Sequence, residues 1–406
     1  MQITFNKIVA FCESRIAFFA IFFSLAMTSA AQLPKLPKIE RPKPPKVEQT
    51  QPVSPNVSSS SATTTAGATV STEAHLLRRT IQVVPRRFTR WWKNSAAAEP
   101  VYDTYSWAPE IKFAVTGPVP AGSRITVEFD DANGKLWFSQ KMRTPELNAD
   151  AWDWVQDVEE MNSDALEKKA ITAQTGAFPF RVKIKNALSG TESILFAGKY
   201  KISTYVPDQK IPDYKGKREF YIDEDWRLPM GWLWLNAVNN ENAPVLNAQI
   251  WFRNLDSSEK LESFLFYNGR QISKEIVQRS AETVLTNAID EQPYRWTLQT
   301  FFFSNVRAFN RDTNGAFRDS FFLDKNPGEY EIRILRGGEL ARSMKFNVGA
   351  DGKITDNGVV KNNRIGGVRF LLPVKITGAA DGKFNPTAWQ SDAFYGNQLS
   401  GFTPAQ

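Results

Sequence analysis

Acidic side chains provide the main route to chemistry in this sequence. Asp223, Glu224 and Asp225 follow one another in the stretch YIDEDW, and residues 152 to 160 (WDWVQDVEE) hold four more carboxylates. A glycosidase needs two carboxyl groups about 5 to 10 Å apart across the bond that it cleaves. Acidic clusters of this size are more often solvated faces. A carboxylate-dependent glycoside hydrolase is therefore one interpretation of these residues, and not the preferred one.

Composition excludes most other catalytic chemistries. The one histidine, His75, lies at the boundary of a linker-like stretch, and the one cysteine, Cys12, lies ahead of an apolar run that would be removed with it. Ser-His and Cys-His nucleophile pairs, and zinc sites built from several such ligands, are therefore not expected. Residues 310 to 321 (NRDTNGAFRDSF) follow the first positions of a calcium loop, but Phe321 stands where the bidentate Glu is required, so a tight turn is favoured. We expect no catalytic residue, no metal and no cofactor.

The twelve tryptophans suggest a carbohydrate-binding role. An exposed indole offers a flat apolar face and a polar edge, the combination that ligand contacts use. Trp152, Trp226 and Trp389 lie outside the strand-like segments and are the candidate ligand-binding residues. Packing inside the protein is the alternative for all three, and large aromatic side chains are buried more often than not.

A basic segment, LLRRTIQVVPRRFTRWWK (residues 76 to 93), carries much of the positive charge in a chain of formal net charge +7. On a helical wheel its apolar residues face one way and its arginines the other, which predicts an amphipathic helix that binds an anionic envelope surface, either lipid or wall polymer. The residues assigned to this contact are Arg78, Arg79, Arg86, Arg87, Arg90, Trp91, Trp92 and Lys93. Pro85 leaves other possibilities open: two short helices, an edge strand, or a basic linker end whose aromatic residues pack on the neighbouring domain.

Period-two alternation of apolar residues dominates the chain from Tyr105 onward and predicts an all-β protein. The predicted strands of the first half are 110–115, 124–129, 135–142, 178–186 and 192–203. Similar strands recur about 120 residues later in the same order. We predict two tandem immunoglobulin-like β-sandwiches, over 105–205 and 220–348, with short helical inserts at 145–174 and 273–292.

The remaining segments are assigned from composition. Residues 1–31 have weakly basic residues, an apolar run and then small residues, as a secretory signal peptide does. The apolar run from Ile16 to Ala26 is shorter than the roughly 20 residues of a membrane-spanning helix. Residues 32–75, rich first in Pro and Lys and then in Ser and Thr, are predicted to be a disordered linker. The domain that contains the basic segment is assigned to 76–100. Residues 349–406 are predicted to form an extension that packs on the second sandwich.

These features favour an exported, non-catalytic β-sandwich protein that acts as an interaction or structural module, secreted or held in the periplasm or cell envelope. A carbohydrate-binding module is the first alternative and the glycoside hydrolase the second. The expected partners are an anionic envelope surface or a glycan. Nucleic acid is not expected as a partner of an exported chain.

Overall fold

Strand accounts for 56% and helix for 7% of the structure, which confirms the all-β prediction. The computed structural model describes residues 73–92, 101–142, 170–206, 218–237, 242–255, 259–275, 278–284, 295–313, 315–367 and 369–405. The predicted signal peptide, nearly all of the predicted linker, Lys93, Trp152 and most of the first predicted helical insert lie outside the described residues. In the described ranges no helix has the length and apolar character needed to cross a membrane.

The basic segment is a strand, so the amphipathic helix is wrong and the strand that Pro85 left open is the correct alternative. Strand β1 (His75–Trp92) pairs antiparallel with β2 (Val101–Thr116) in a long two-stranded ribbon. Ile81, Val83 and Pro85 are buried with partly exposed residues between them, which is the period of a strand. Pro85 lies opposite Pro109. Proline has no backbone N–H, so the two missing hydrogen-bond donors are at the same pair of the ladder.

A five-stranded antiparallel sheet follows the ribbon, in the order β4-β3-β5-β6-β7. Asp131 and Gly134 form the β3–β4 turn: Asp131 Oδ1 accepts hydrogen bonds from two backbone N–H groups of the turn, and Gly134 has the positive φ, 79°, that was expected there. The last strand extends this sheet into the region that was predicted to begin the second sandwich. The strands are β3 (Arg124–Asp130), β4 (Leu136–Met142), β5 (Gly176–Lys185), β6 (Glu192–Tyr205) and β7 (Glu219–Ile222).

A second, ten-stranded sheet contains the rest of the strands, in the order β11-β10-β15-β16-β17-β8-β9-β13-β12, with β14 paired in parallel to the end of β13. Its strands are β8 (Met230–Asn236), β9 (Val245–Arg253), β10 (Leu261–Tyr267), β11 (Arg270–Glu275), β12 (Gln278–Val284), β13 (Trp296–Arg307), β14 (Phe321–Phe322), β15 (Gly328–Arg336), β16 (Glu339–Val348) and β17 (Phe370–Ile376).

The ten-stranded sheet folds back on itself in a sandwich-like or barrel-like arrangement. The Ser273 hydroxyl on β11 lies 2.5 Å from Asn305 Oδ1 on β13, which brings two distant strands of the sheet together. Ile250, Phe252 and Phe301 from one half and Ile332 and Met344 from the other belong to one buried apolar cluster between them. Burial of this apolar surface is the main force that holds the two halves face to face.

The second predicted helical insert is also a strand where the structure describes it. Residues 278 to 284 pair with β13, from Gln278 opposite Phe301 to Val284 opposite Trp296. The helical spacing of Ala281 and Val284 was therefore misleading. The strand β13 next to this segment offers N–H and C=O partners, and a segment of mixed polarity can use those instead of its own helical bonds.

One hydrophobic core joins the ribbon, the five-stranded sheet and the outer face of the ten-stranded sheet. Strand β9 is buried at every position. Three tryptophans on β9 and its neighbouring strands belong to the same apolar cluster as Val83 of β1 and Phe180 of β5: Trp232, Trp251 and Trp296. The ten-stranded sheet is therefore covered on both faces at β9.

The C-terminal extension packs on both sheets. Strand β17 lies inside the ten-stranded sheet, between β16 and β8. Phe394 and Tyr395 instead join the core of the five-stranded sheet, where the Tyr395 ring lies 5.9 Å from Phe180. Three short helical turns complete the extension: α1 (Val359–Asn362), α2 (Ala388–Ser391) and α3 (Ala393–Gly396).

Candidate functional site

The carboxylates of YIDEDW lie at the crossover between the two sheets. Strand β7 ends at Ile222, and a short 3-10 turn over Asp225–Arg227 leads into β8. Glu224 is 0% exposed, Asp225 4% and Trp226 3%. The segment is therefore an internal joint of the molecule, and its acidic side chains do not form a solvated face.

Glu224 is enclosed in a network of hydrogen bonds that uses both of its oxygens. Arg227 donates from Nε to Oε2 at 2.5 Å and from Nη2 to Oε1 at 3.1 Å. The Tyr395 hydroxyl donates to Oε1 at 2.9 Å and accepts from the backbone N–H of Val83 at 3.1 Å. Burial, and then the charge of Glu224, raise the pKa of Tyr395 well above its usual range. Glu224 is closed off from solvent, and so from a substrate, and it fixes β1, the crossover and the C-terminal extension together.

The Arg227 guanidinium is held between aromatic rings as well. Its central carbon lies 4.3 Å from the centre of the Trp226 ring and 4.9 Å from that of Trp251. A cation over an indole face is favoured by the ring quadrupole, and more so without water. The charge pair with Glu224 is therefore desolvated but well partnered.

Asp225 is a buried carboxylate whose pKa is raised. Its Oδ1 accepts from Trp296 Nε1 at 3.1 Å, its Oδ2 accepts from the backbone N–H of Asn385 at 2.7 Å, and Arg253 Nη1 lies 3.6 Å from Oδ1. Burial first, and then the negative charge of Asp223, raise the pKa of Asp225 to about 6, against the opposing effect of Arg253. A raised carboxyl pKa is common among catalytic acids, but it needs a space for substrate beside it.

The cavity beside this joint is too small for a sugar. It has a volume of about 50 Å³ and is lined by Lys199, Lys201, Asp223, Trp226, Asp392 and Tyr395, among others. About 30 Å³ of liquid volume belongs to one water molecule, so the cavity holds one or two waters. The arrangement binds the sheets together and does not present two carboxyls across a substrate-sized cleft.

The tryptophans proposed as ligand contacts occupy different environments. Trp226 is buried against Phe394, at 5.1 Å between ring centres, so its face is not available to a sugar and that expectation is corrected. Trp389 is half-buried and lies 6.0 Å from the Phe402 ring. Trp152 lies outside the described residues. The structure does not bring Trp226 and Trp389 together into an exposed platform.

The arginines proposed to bind an anionic surface are partly used within the protein. Arg86 Nη1 lies 3.2 Å from Glu110, and Arg87 Nη1 lies 2.9 Å from Glu219, which is 6% exposed. Arg78 and Arg79 are half-buried, and burial together with nearby Arg364 lowers the pKa of Arg78. The side chains of Arg90, Trp91 and Trp92 on β1, and the whole of Lys93, are not described. Arg86 and Arg87 therefore act in ion pairs that fix the ribbon.

Sequence reasoning missed a second buried charge cluster, around Asp381. Its Oδ2 accepts from Arg342 Nη2, and its Oδ1 accepts from the backbone N–H of Arg253 at 3.0 Å and lies 3.5 Å from Arg336 Nη1. Arg342 is 1% exposed and Asp381 3%. Polar residues at inward-facing strand positions are the one signal in the sequence that indicates such a cluster.

Two further results bear on the identity of the site. In the part of the chain that the structure describes, no three His, Cys, Asp or Glu side chains are grouped as metal ligands. The sequence matches no protein-family model, and it matches no curated protein significantly.

Proposed function

We propose that this chain is an exported, non-catalytic β-sandwich protein that acts as an interaction or structural module at the cell envelope or outside the cell. The observation that carries the proposal is the closed network of Glu224, Arg227 and Tyr395. Glu224, one of the carboxylates that offered a route to catalysis, instead links β1, the crossover and the C-terminal extension.

The tandem immunoglobulin-like arrangement and the export signal are part of the same proposal. The arrangement is supported by antiparallel strands in two successive sheets, each with a buried apolar face. Export is supported by the order of basic, apolar and small residues in 1–31. Removal of that segment would take away Cys12, so the exported chain would depend on burial and buried ion pairs instead of disulfides.

A carbohydrate-binding module is the alternative, and it has lost one of its three candidate residues because Trp226 is buried. Trp389 and Trp152 are the residues on which it now depends. An anionic envelope surface is the other partner class, through Arg78 and Arg79, since Arg86 and Arg87 are paired.

A glycan array combined with a glycoside-hydrolysis assay tests the proposal. The proteins are wild type, Asp223→Asn, Trp389→Ala and Trp152→Ala, each checked for folding by circular dichroism. We expect no turnover by any of them. Turnover that disappears in folded Asp223→Asn would establish the hydrolase, and glycan binding that disappears in Trp389→Ala or Trp152→Ala would establish the carbohydrate-binding module.

Export is tested separately with residues 1–31 fused to alkaline phosphatase, a reporter that is active only after export from the bacterial cytoplasm. We expect phosphatase activity from this fusion. A matched fusion in which Phe18 and Phe22 are changed to Lys should lose it, because charges in the apolar run prevent recognition of a signal peptide. An inactive wild-type fusion would contradict the export assignment.

A further inference from the structure

Arg307, at the end of β13, is a buried cation whose hydrogen-bond partners in the described chain are neutral. It is 9% exposed. Its Nε donates to Ser320 Oγ at 3.3 Å and its Nη1 donates to the backbone carbonyl of Ala243 at 2.8 Å. Across the described ranges no carboxylate lies within 4.0 Å of its guanidinium, and its Nη2 makes no hydrogen bond. Burying a charge in this way is costly unless something compensates it.

The loop after β13 holds the Arg307 side chain in place. The Phe317 ring centre lies 3.7 Å from the guanidinium carbon. Phe317 has φ of 65°, in the left-handed region that a bulky side chain adopts only at a cost of about 1 to 3 kcal/mol. Strain of this kind persists where surrounding contacts impose it, and it is frequent at ligand sites. Burial lowers the pKa of Arg307, yet the guanidinium remains charged at any physiological pH.

Arg307 lines an open cleft of about 460 Å³ at this end of the ten-stranded sheet. This volume lies within the range of about 300 to 1,000 Å³ that small-molecule sites occupy. Ser304, Asn305, Arg318, Asp319 and Ser320 also line it. Arg318 is exposed, and within the described chain it too has no ion pair. Asp319 lies on the same cleft, so two guanidinium groups and one carboxylate line it.

We infer that this cleft binds a tetrahedral oxyanion, a phosphate or sulfate group, between Arg307 and Arg318. An anion there supplies the counter-charge that Arg307 lacks, and guanidinium groups make strong charge-assisted hydrogen bonds to such oxygens. The Nε of Arg307 already donates to Ser320, so its Nε–Nη2 edge is not free for the side-on pair that a planar carboxylate prefers. Donors from several directions, the two guanidiniums and the Ser320 hydroxyl, suit a tetrahedral group better. The proposed anion site does not depend on whether the protein is exported.

The test is phosphorus NMR of inorganic phosphate in the presence of the full chain. Binding in fast exchange should broaden the phosphate line, and sulfate should restore the narrow line by competition. Chloride at matched ionic strength should not restore the narrow line, because it screens surface charges in general and does not replace phosphate in the cleft. Equal displacement by chloride would overturn the proposal, and displacement by acetate as effective as that by sulfate would overturn the tetrahedral assignment.

Variants locate the site. Arg318→Ala should weaken phosphate binding about tenfold, the effect of losing one charge-assisted contact, and should leave the fold intact because Arg318 is exposed. Asp319→Asn should strengthen binding by removing a like charge. Arg311→Ala is the matched control: this exposed arginine stacks on Phe309 at 4.4 Å in the same loop but does not line the cleft. Equal line widths for wild type and folded Arg318→Ala, or an equal loss in Arg311→Ala, would refute the site.

Discussion

Buried charged residues in this protein differ in how well their surroundings support the charge. Glu224 and Arg227 neutralise each other and accept or donate further hydrogen bonds. Asp225 has two good donors, but its nearest cation, Arg253, is 3.6 Å away and Asp223 repels it. The carboxylate of Asp225 is thus destabilised at neutral pH, which has a consequence for stability that can be measured.

Asp225→Asn should change the pH dependence of stability. The pKa of Asp225 rises from 3.8 in the unfolded chain to about 6 in the folded protein. The stability associated with the protonated group is therefore present below about pH 4 and is lost as pH rises through 6. Between pH 5 and 7.5 the wild type should lose about 1 kcal/mol of unfolding free energy relative to Asp225→Asn. Urea unfolding of both proteins at several pH values measures this, and a pH-independent difference would contradict it.

Removal of Asp381 should be strongly destabilising. The change Asp381→Asn leaves Arg342, which is 1% exposed, without its carboxylate, and an unpaired buried charge costs about 3 to 5 kcal/mol. Lys345→Ala removes an ion pair of 3.2 Å with Glu329 in which both side chains are more than half exposed, and exposed pairs contribute about 1 kcal/mol or less. Denaturant unfolding compares the two variants. Similar losses of unfolding free energy would mean that the buried charge cluster around Asp381 does not stabilise the fold.

At the scale of elements, the ribbon shows how pairing decides between helix and strand. A helix over 76–93 would place Val84 on the apolar face with Ile81 and Phe88. In strand β1 it is Val83, 0% exposed, that shares the buried face with Ile81, while Val84 is half-buried. Strand β2 pairs with residues 75–77 and 82–92, so most of the backbone of this segment is satisfied by pairing in place of helical hydrogen bonds.

The two valines therefore form a matched test of this element. Val83→Asn should cost about 3 kcal/mol of unfolding free energy, because it places an amide without a partner in the core and removes apolar contacts. Val84→Asn should cost less than about 1 kcal/mol, as at partly exposed positions generally. Thermal unfolding of the two single variants measures the difference. A larger loss for Val84→Asn would favour the helix and contradict the strand.

At the scale of the whole molecule, the C-terminal extension connects the two sheets. Its strand β17 is part of the ten-stranded sheet, whereas Phe394, Tyr395 and Phe402 are buried in the core that includes the five-stranded sheet. Tyr395 also reaches Glu224, Arg227 and β1. A single core across both sheets predicts that the described part of the chain unfolds as a unit.

Deletion of residues 386–406 should uncouple the two sheets. Phe394 is 2% exposed and Phe402 5%, and the loss of a single buried aromatic costs about 3 to 5 kcal/mol. The truncated chain should unfold in two denaturant transitions, or lose the five-stranded sheet, where the intact chain shows one. Deletion of 403–406 is the control, since Thr403 and Ala405 are exposed. Tryptophan fluorescence and far-ultraviolet circular dichroism, recorded together, distinguish these outcomes.

Sequence alone determined the elements whose pattern is local. The predicted strands 124–129, 178–186 and 192–203 correspond closely to β3, β5 and β6. Alternation of apolar and polar residues is a property of neighbours in the chain, and so is the Asn-Gly turn before β4. The all-β class follows from these patterns. Composition did not reveal the burial of the acidic YIDEDW segment, which the sequence indicated to be a solvated face.

Only the tertiary structure decided what the ambiguous segments become. The spacing of apolar residues in 76–93 and in 278–284 suits a helix. Each segment is a strand because it pairs with a neighbouring strand, the first with β2 and the second with β13. The role of Glu224 depends on Tyr395, 171 residues further along the chain. The aromatic ring that covers the Arg307 guanidinium comes from Phe317, in the loop that follows β13. Burial and charge compensation are properties of the packed chain, and residues distant in sequence supply them, so no local pattern reveals them.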